Sequence, residues 1–274
     1  MGFVDLFTMF TCGRELYIAH SPDGRDRSAP KKFAGIGGHY QVSAVHGRRI
    51  GTFFNRHPGG VVNQRTDLYC METSDGGRTW TTVDGRPLTA PLSDPDNPAR
   101  VEEYSSRGLL VYGNDLAFTA DGRPAMFYIV SRDWKPGPEA GPREWKVTAW
   151  TGREWATTTV TASDHNYDMG SLYIHGDDWR MIGPSDPGPQ PWATGGELVL
   201  WRSRDDGRTW ARERAITAAN ERNHFYPRRP LNAHDPFFAF WADGRADAMS
   251  ESHLWFCNSD GSRVYRLPWR MEGE

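Results

Sequence analysis

Five consecutive residues, Asp164-His165-Asn166-Tyr167-Asp168, bring two carboxyl groups, an imidazole and a phenol together. Such a set can hold and move protons near neutral pH. The same Asp and Asn side chains can instead cap a turn ahead of a strand. A second stretch, Asn223-His224-Phe225-Tyr226-Pro227-Arg228-Arg229, adds an imidazole, a phenol and two guanidiniums. An arginine there suits a bidentate pair with a carboxylate, or a structural ion pair, and the sequence does not separate Arg228 from Arg229. His39 and His57 begin and end one predicted hairpin, which places both near one rim. The candidate catalytic residues are therefore His39, His57, His165, Tyr167, His224, Tyr226, Arg228 and Arg229. Asn55, Arg65, Arg132, Trp134, Trp192 and Glu197 are candidate substrate contacts. The proline-stiffened loops Trp134–Glu139 and Pro184–Trp192 can offer tryptophan to a sugar ring, or simply brace themselves. Asp115, Asp168 and Glu197 give an alternative carboxylate pair for hydrolysis. Histidines from separate strands could gather a divalent ion, but no HxH or CxxC spacing supports a metal and no cofactor is expected.

These residues need strands and turns to position them, and one stretch reveals the plan because it occurs twice. Thr73-Ser-Asp75-Gly-Gly77-Arg-Thr79-Trp80 and Ser203-Arg-Asp205-Asp-Gly207-Arg-Thr209-Trp210 share hydroxyl, Asp, Gly, Thr and Trp at equal spacing. Each follows a strand-like run and precedes another. The Asp can accept backbone N–H groups of a turn, Gly takes a positive φ, and Trp leaves to pack between sheets. Aligning the chain on these turns predicts units of about fifty residues with four strands each. The units are a partial one at 1–38 and full ones at 39–85, 114–163, 167–217 and 224–270, within a single domain of residues 1–274.

In a four-stranded meander the turns alternate between two faces. The repeated turns mark one face, where the first-to-second turns are brief. The other face receives long loops, Asn55–Arg65, Asp133–Gly141, Pro184–Gly196 and Ala242–Ser252. It also receives the entries to the innermost strands, at His39, Asn114-Asp115, Asp164 and Asn223. The candidate residues fall on that face, where loops on a rigid scaffold usually carry function.

At 274 residues, with abundant glycine and 12 tryptophans, the composition favours an all-β repeat fold. A formal charge of −3 gives no electrostatic case for nucleic acid. No apolar run is long enough to span a membrane. Cys12, Cys70 and Cys257 read as small buried hydrophobes. The opening residues lack a secretory signal, so the expected location is cytoplasmic, or secreted or periplasmic if a longer natural chain precedes Met1. Oligomeric state is not legible.

The repeated turn resembles the Asp box, or BNR repeat, of sialidase-like β-propellers. That resemblance implies an all-β propeller of four-stranded antiparallel blades, four full and one partial. The ring would be five-bladed, or part of a six- or seven-bladed one. It also implies that the boxes lie away from the active site. His39–Ser43, Phe54–Pro58, Asp164–Tyr173, Pro187–Pro191 and Asn223–Pro230 further resemble ulvan-lyase-type BNR propellers. This likeness implies a polysaccharide lyase that cleaves uronic-acid-containing glycans by β-elimination, with an acidic polysaccharide or oligosaccharide as partner. Arg228 or Arg229 would then neutralise the carboxylate, His165 or His39 would be the base, and Tyr167 or Tyr226 would protonate the leaving oxygen. A sialidase-like hydrolase is the alternative, although only Phe225–Pro230 faintly echoes its arginine motif. A non-catalytic glycan- or protein-binding propeller is the third reading.

Overall fold

The computed structural model describes residues 6–13, 15–218 and 221–270. Half of the chain is strand, paired in antiparallel sheets, with almost no helix among the described residues. β1 (Leu6–Cys12), β2 (Glu15–Ser21) and β3 (Lys31–Ala34) form a three-stranded meander. A second sheet runs through β4 (Gly38–His46), β5 (Arg49–Arg56), β6 (Thr66–Thr73), β7 (Trp80–Thr81) and β8 (Pro87–Leu88), with β9 (Arg100–Glu102) beside β6. The third is β10 (Leu110–Phe118), β11 (Pro124–Ser131), β12 (Arg143–Trp150) and β13 (Trp155–Ser163). β14 (Ser171–His175), β15 (Asp178–Pro187), β16 (Gly196–Ser203) and β17 (Ala211–Ala215) form another meander. β18 (Asn223–Arg228), β19 (Ala239–Gly244), β20 (Leu254–Cys257) and β21 (Val264–Arg266) form the last, and a Gly196–His224 bridge joins the two. Among the described residues no helix is long and apolar enough to cross a membrane.

Two compact units divide the chain. One comprises Met1–Tyr128 and Thr148–Ala156, the other Ile129–Val147 and Thr157–Glu274. Strands β6 and β11 are buried along their whole length, whereas β17 is exposed throughout. Continuous apolar runs such as Met126–Val130 therefore reflect cover on both faces rather than strict alternation. The first unit's core gathers Leu16, Phe33, Phe54, Tyr69, Met71 and Trp80. The second gathers Tyr173, Ile182, Leu198, Phe238 and Trp241. Cys70 and Cys257 are buried free thiols, and the side chain of Cys12 lies outside the described residues.

The repeated turns are the same device twice. Asp75 Oδ1 accepts the N–H groups of Arg78 (3.0 Å) and Thr79 (2.9 Å), and Thr79 Oγ1 donates to Oδ2 at 2.7 Å. Asp205 repeats these bonds with Arg208 (3.1 Å), Thr209 N (2.9 Å) and Thr209 Oγ1 (2.7 Å). Some burial works against Asp75, but the Thr79, Thr73 and Arg78 donors hold its carboxyl down at about 2. The Thr79 counterpart, Thr209, does most to hold Asp205 at about 2. Gly77 and Gly207 have φ of 76° and 77°. A β-carbon on Gly207 would meet the Trp179 ring at 2.7 Å, so both conformation and space require glycine. Trp80 leaves its turn and stacks on Phe33 of β3 at 4.9 Å. Ser21–Asp26 keeps the motif's logic, with Asp23 accepting Arg25 N and Asp26 N.

Three innermost strands differ from expectation, and the one expected at Tyr167–His175 starts only at Ser171. The strand expected at Asn114–Gly122 runs from Leu110 to Phe118, because the turn at Thr119–Gly122 ends it early. Asn114 and Asp115 therefore sit within the strand rather than at its entry. The strand expected at Arg228–Ala233 is instead Asn223–Arg228. Its Pro227 breaks nothing, because it sits in a bulge where no ladder bond is missed.

Asp75→Ala should lower the melting temperature by roughly 3–8 °C in a circular-dichroism melt, since it strips charge-assisted bonds from the turn and leaves it the Thr73–Gly77 and His20–Gly76 contacts. Binding to any ligand of the opposite loops should stay as in the wild type.

Candidate functional site

Asp164–Gly170 link β13 to β14, and their side chains alternate. Asp164, Asn166 and Asp168 are buried, while His165 and Tyr167 are half-buried. The buried set holds backbone. Asp168 accepts His165 N–H (2.8 Å) on one oxygen and Gly195 N–H (2.9 Å) on the other. Asp164 accepts Trp192 N–H at 2.8 Å. Asn166 donates to Asp133 O (3.0 Å) and accepts from Arg143 Nε (3.1 Å). Arg143, wholly buried, also donates to Lys135 O (2.9 Å) and Gly137 O (3.0 Å). Three loops, the two bearing Trp134 and Trp192 and the one bearing His165, are thus tied into one body within the second unit. Burial, then the neighbouring Asp164 charge, pushes the Asp168 carboxyl well up. With both oxygens engaged it is no hydrolytic nucleophile, which removes it from the carboxylate pair.

His165 Nδ1 accepts the Tyr167 N–H at 3.1 Å, with Thr194 Oγ1 at 3.3 Å. An N–H can only donate, so Nδ1 must keep its lone pair and the neutral ring carries its proton on Nε2. Burial first, and the Arg143 charge second, lower this imidazole to about 4. His165 is therefore a neutral Nε2–H donor. The expected role of base does not fit it. The Tyr167 ring lies 5.8 Å away.

The second candidate stretch divides cleanly. His224 is buried, with Nδ1 accepting Trp241 Nε1–H at 2.9 Å, and burial lowers its pKa. It is a core residue rather than a catalytic one, and Glu197, half-buried in β16, acts electrostatically on it. Asn223 is likewise structural, bonding Gln190 and Thr194 backbone. Tyr226 is exposed. Its phenol is raised by burial and by Tyr167, while Arg228 pulls it down. The two arginines part company: Arg228 lies 5.9 Å from the Tyr226 ring and touches Met169 Sδ at 3.9 Å. Arg229 lies 6.0 Å over Tyr173. Arg228 belongs with His165, Tyr167 and Tyr226. Tyr173 lines a different cavity of 390 Å³, whose Arg180 and Asp178 already bond each other. Trp134, Trp192 and Arg132 are exposed.

In the first unit, Asn55, His57 and Arg65 do not reach the rim. Asn55 is buried and donates to Val111 O at 2.6 Å. His57 is 1% exposed, its ring 5.5 Å from Tyr40. Arg65 is 3% exposed, its guanidinium 4.5 Å from both the Tyr40 and Tyr112 rings. His57 and Arg65 thus lie against Tyr40. His39 pairs with Asn55 in the β4–β5 ladder, and its side chain lies outside the described residues. Among the described residues no group of three His, Cys, Asp or Glu is placed to share a metal ion.

Sequence reasoning missed Arg143 and Tyr40. An arginine heading a strand carries no mark of burial. Tyr40 had a signal, since a tyrosine follows a histidine by one or two positions at His39-Tyr40, His165-Asn-Tyr167 and His224-Phe-Tyr226.

No protein-family model and no curated protein matches the chain. Solved structures do. A PL25 ulvan lyase bound to -[GlcA(1-4)Rha3S]- is similar with a TM-score of 0.73 at 17% identity, over 94% of this chain and 63% of that one. The polysaccharide lyase Uly1 is similar with a TM-score of 0.62 at 16% identity, over 93% and 56%. A Trypanosoma rangeli sialidase in complex with the inhibitor DANA gives 0.51 at 12% identity, over 94% and 44%. The chain thus spans less than two thirds of the length of these neighbours. The likeness is one of fold: all-β, antiparallel, and shared with carbohydrate-active propellers.

Arg143→Met should free the 133–141 loop and raise the His165 pKa, though not to its ordinary 6.5, because burial remains. Hydrogen exchange of that loop and an NMR titration of the imidazole measure the two effects separately.

Proposed function

We propose that the chain is a carbohydrate-active β-propeller, or part of one, that cleaves uronate-containing polysaccharides by β-elimination. The observation that carries this reading is the Tyr167 N–H bond to His165 Nδ1, which fixes a neutral Nε2–H donor in company with Tyr167, Tyr226 and Arg228. The fold shared with a PL25 ulvan lyase supports the same class of substrate. Removing the proton α to a carboxylate needs that carboxylate's charge masked as the enolate forms. Arg228 supplies the charge and His165 Nε2–H a second donor.

Proton transfer then falls to the two phenols. Tyr167, as phenolate, takes the C5 proton; the C5–H electrons form the C4=C5 bond, and the C4–O4 bond breaks. Tyr226, kept protonated by its raised pKa, delivers its proton to O4. One phenol has gained a proton and one has lost it, so exchange between these electrostatically coupled neighbours restores the start. Trp134 and Trp192 flank the tied loops as faces for sugar rings.

The test is ultraviolet absorbance of the unsaturated product from uronate polysaccharides. With His165 a donor, kcat/KM should show no inflection near 6.5 and should climb as a phenol ionises. His165→Gln, which retains an N–H, should lose about tenfold, and His165→Ala about a hundredfold or more. Equal and complete loss in both variants would restore His165 as the base. Release of reducing ends without absorbance would mean hydrolysis, and retention without turnover would mean a binding module. The depressed imidazole also affects folding: its contribution is complete above about 6.5 and is lost as pH falls through about 4.

A further inference from the structure

Among the described residues, five that are not glycine have a left-handed backbone: Tyr40, Asp67, Trp192, Asp206 and Tyr226. For a bulky side chain this conformation is a genuine outlier. Asp206 lies in a repeated turn and tolerates it. Asp67 uses it to accept Tyr104 N–H (2.9 Å) and Ser105 N–H (3.0 Å). The three aromatics remain. They are exposed to nearly the same degree, 40%, 39% and 40% for Tyr40, Trp192 and Tyr226.

Tyr40 and Tyr226 also occupy the same place in their sheets. The β4–β5 register runs His39↔Asn55 and then Val42↔Phe53, so residues 40 and 41 together oppose Phe54. The β18–β19 register runs Phe225↔Ala242 and then Arg228↔Phe240, so residues 226 and 227 oppose Trp241. Each is a bulge near the start of an innermost strand, with φ of 49° and 47° at its first residue. Glycine ordinarily fills such a position, and bulges of this kind re-aim a side chain. Beside each ring lies an arginine, the buried Arg65 at 4.5 Å and the exposed Arg228 at 5.9 Å. A strained tyrosine, twice, at a glycine position argues that the side chain there is used.

We propose that Tyr40 is a sugar-contacting residue of the first unit, the counterpart of Tyr226 in the second, each turned outward by a bulge and lying beside an arginine. This rests on the carbohydrate reading above. The exposed part of the side chain offers an apolar contact to one sugar of a chain.

The experiment compares Tyr40→Gly, Tyr40→Ala and the wild type in thermal unfolding. Calorimetric binding is measured to a panel of neutral oligosaccharides and of -[GlcA(1-4)Rha3S]- oligosaccharides. Both variants lose the ring, but only alanine keeps the strain. Tyr40→Gly should therefore melt above Tyr40→Ala, while both bind at least tenfold more weakly than the wild type. Equal melting temperatures, or unchanged affinity, would overturn the proposal. If the wild type binds a neutral oligosaccharide and Tyr40→Gly loses it, the contact stands while the acidic substrate falls. If no member of the panel binds, both readings fall.

Discussion

Backbone that leaves a sheet must find new partners for its N–H groups, and here aspartate supplies them. Asp23, Asp75 and Asp205 do so at turns, and Asp67, Asp164 and Asp168 do so among the loops. The chemistry is shared but the energetics diverge with depth. At the turns the carboxylates stay largely in water, and their donors lower the pKa to about 2 at Asp75 and Asp205. At Asp168 desolvation outweighs two backbone donors and the carboxyl is raised. The first kind is a cheap joint that can recur along the chain. The second demands an enclosed setting, and the tied loops around His165 provide it.

That difference explains what the sequence did and did not disclose. Turn chemistry is local, so Thr73–Trp80 and Ser203–Trp210 announced themselves, and the strands beside them followed to within a few residues. The stretch Asp164–Asp168 was legible as a site, but not its internal division. Which residues face inward depends on Arg143, Gly195 and Trp192, none of which is a sequence neighbour. His224 looked chemical until Trp241, seventeen positions away and on the next strand, took its Nδ1. Arg228 and Arg229 are adjacent in sequence, and only Met169 and Tyr173 tell them apart. Burial of a polar side chain is a property of its neighbours, and neighbours across a sheet are what one chain read in order hides.

The same reasoning separates rigid from adjustable parts of the site. His165 is fixed in tautomer by a backbone donor, so its chemistry is set by main-chain geometry rather than by another side chain that could turn away. Tyr226 and Trp192 depend instead on unfavourable backbone conformations, imposed on Tyr226 by the ladder around its bulge and accompanied at Trp192 by the Asp164 bond to its N–H. A site of this kind places its donors by pairing and its aromatic surfaces by strain.

Arg143 holds the 133–141 loop through the carbonyls of Lys135 and Gly137. Every residue type offers a carbonyl there, so the clasp is indifferent to the side chains it holds. The exposed side chains of Trp134 and Lys135 can therefore change without releasing those two bonds, so the surface of this loop is free to vary while its path is held.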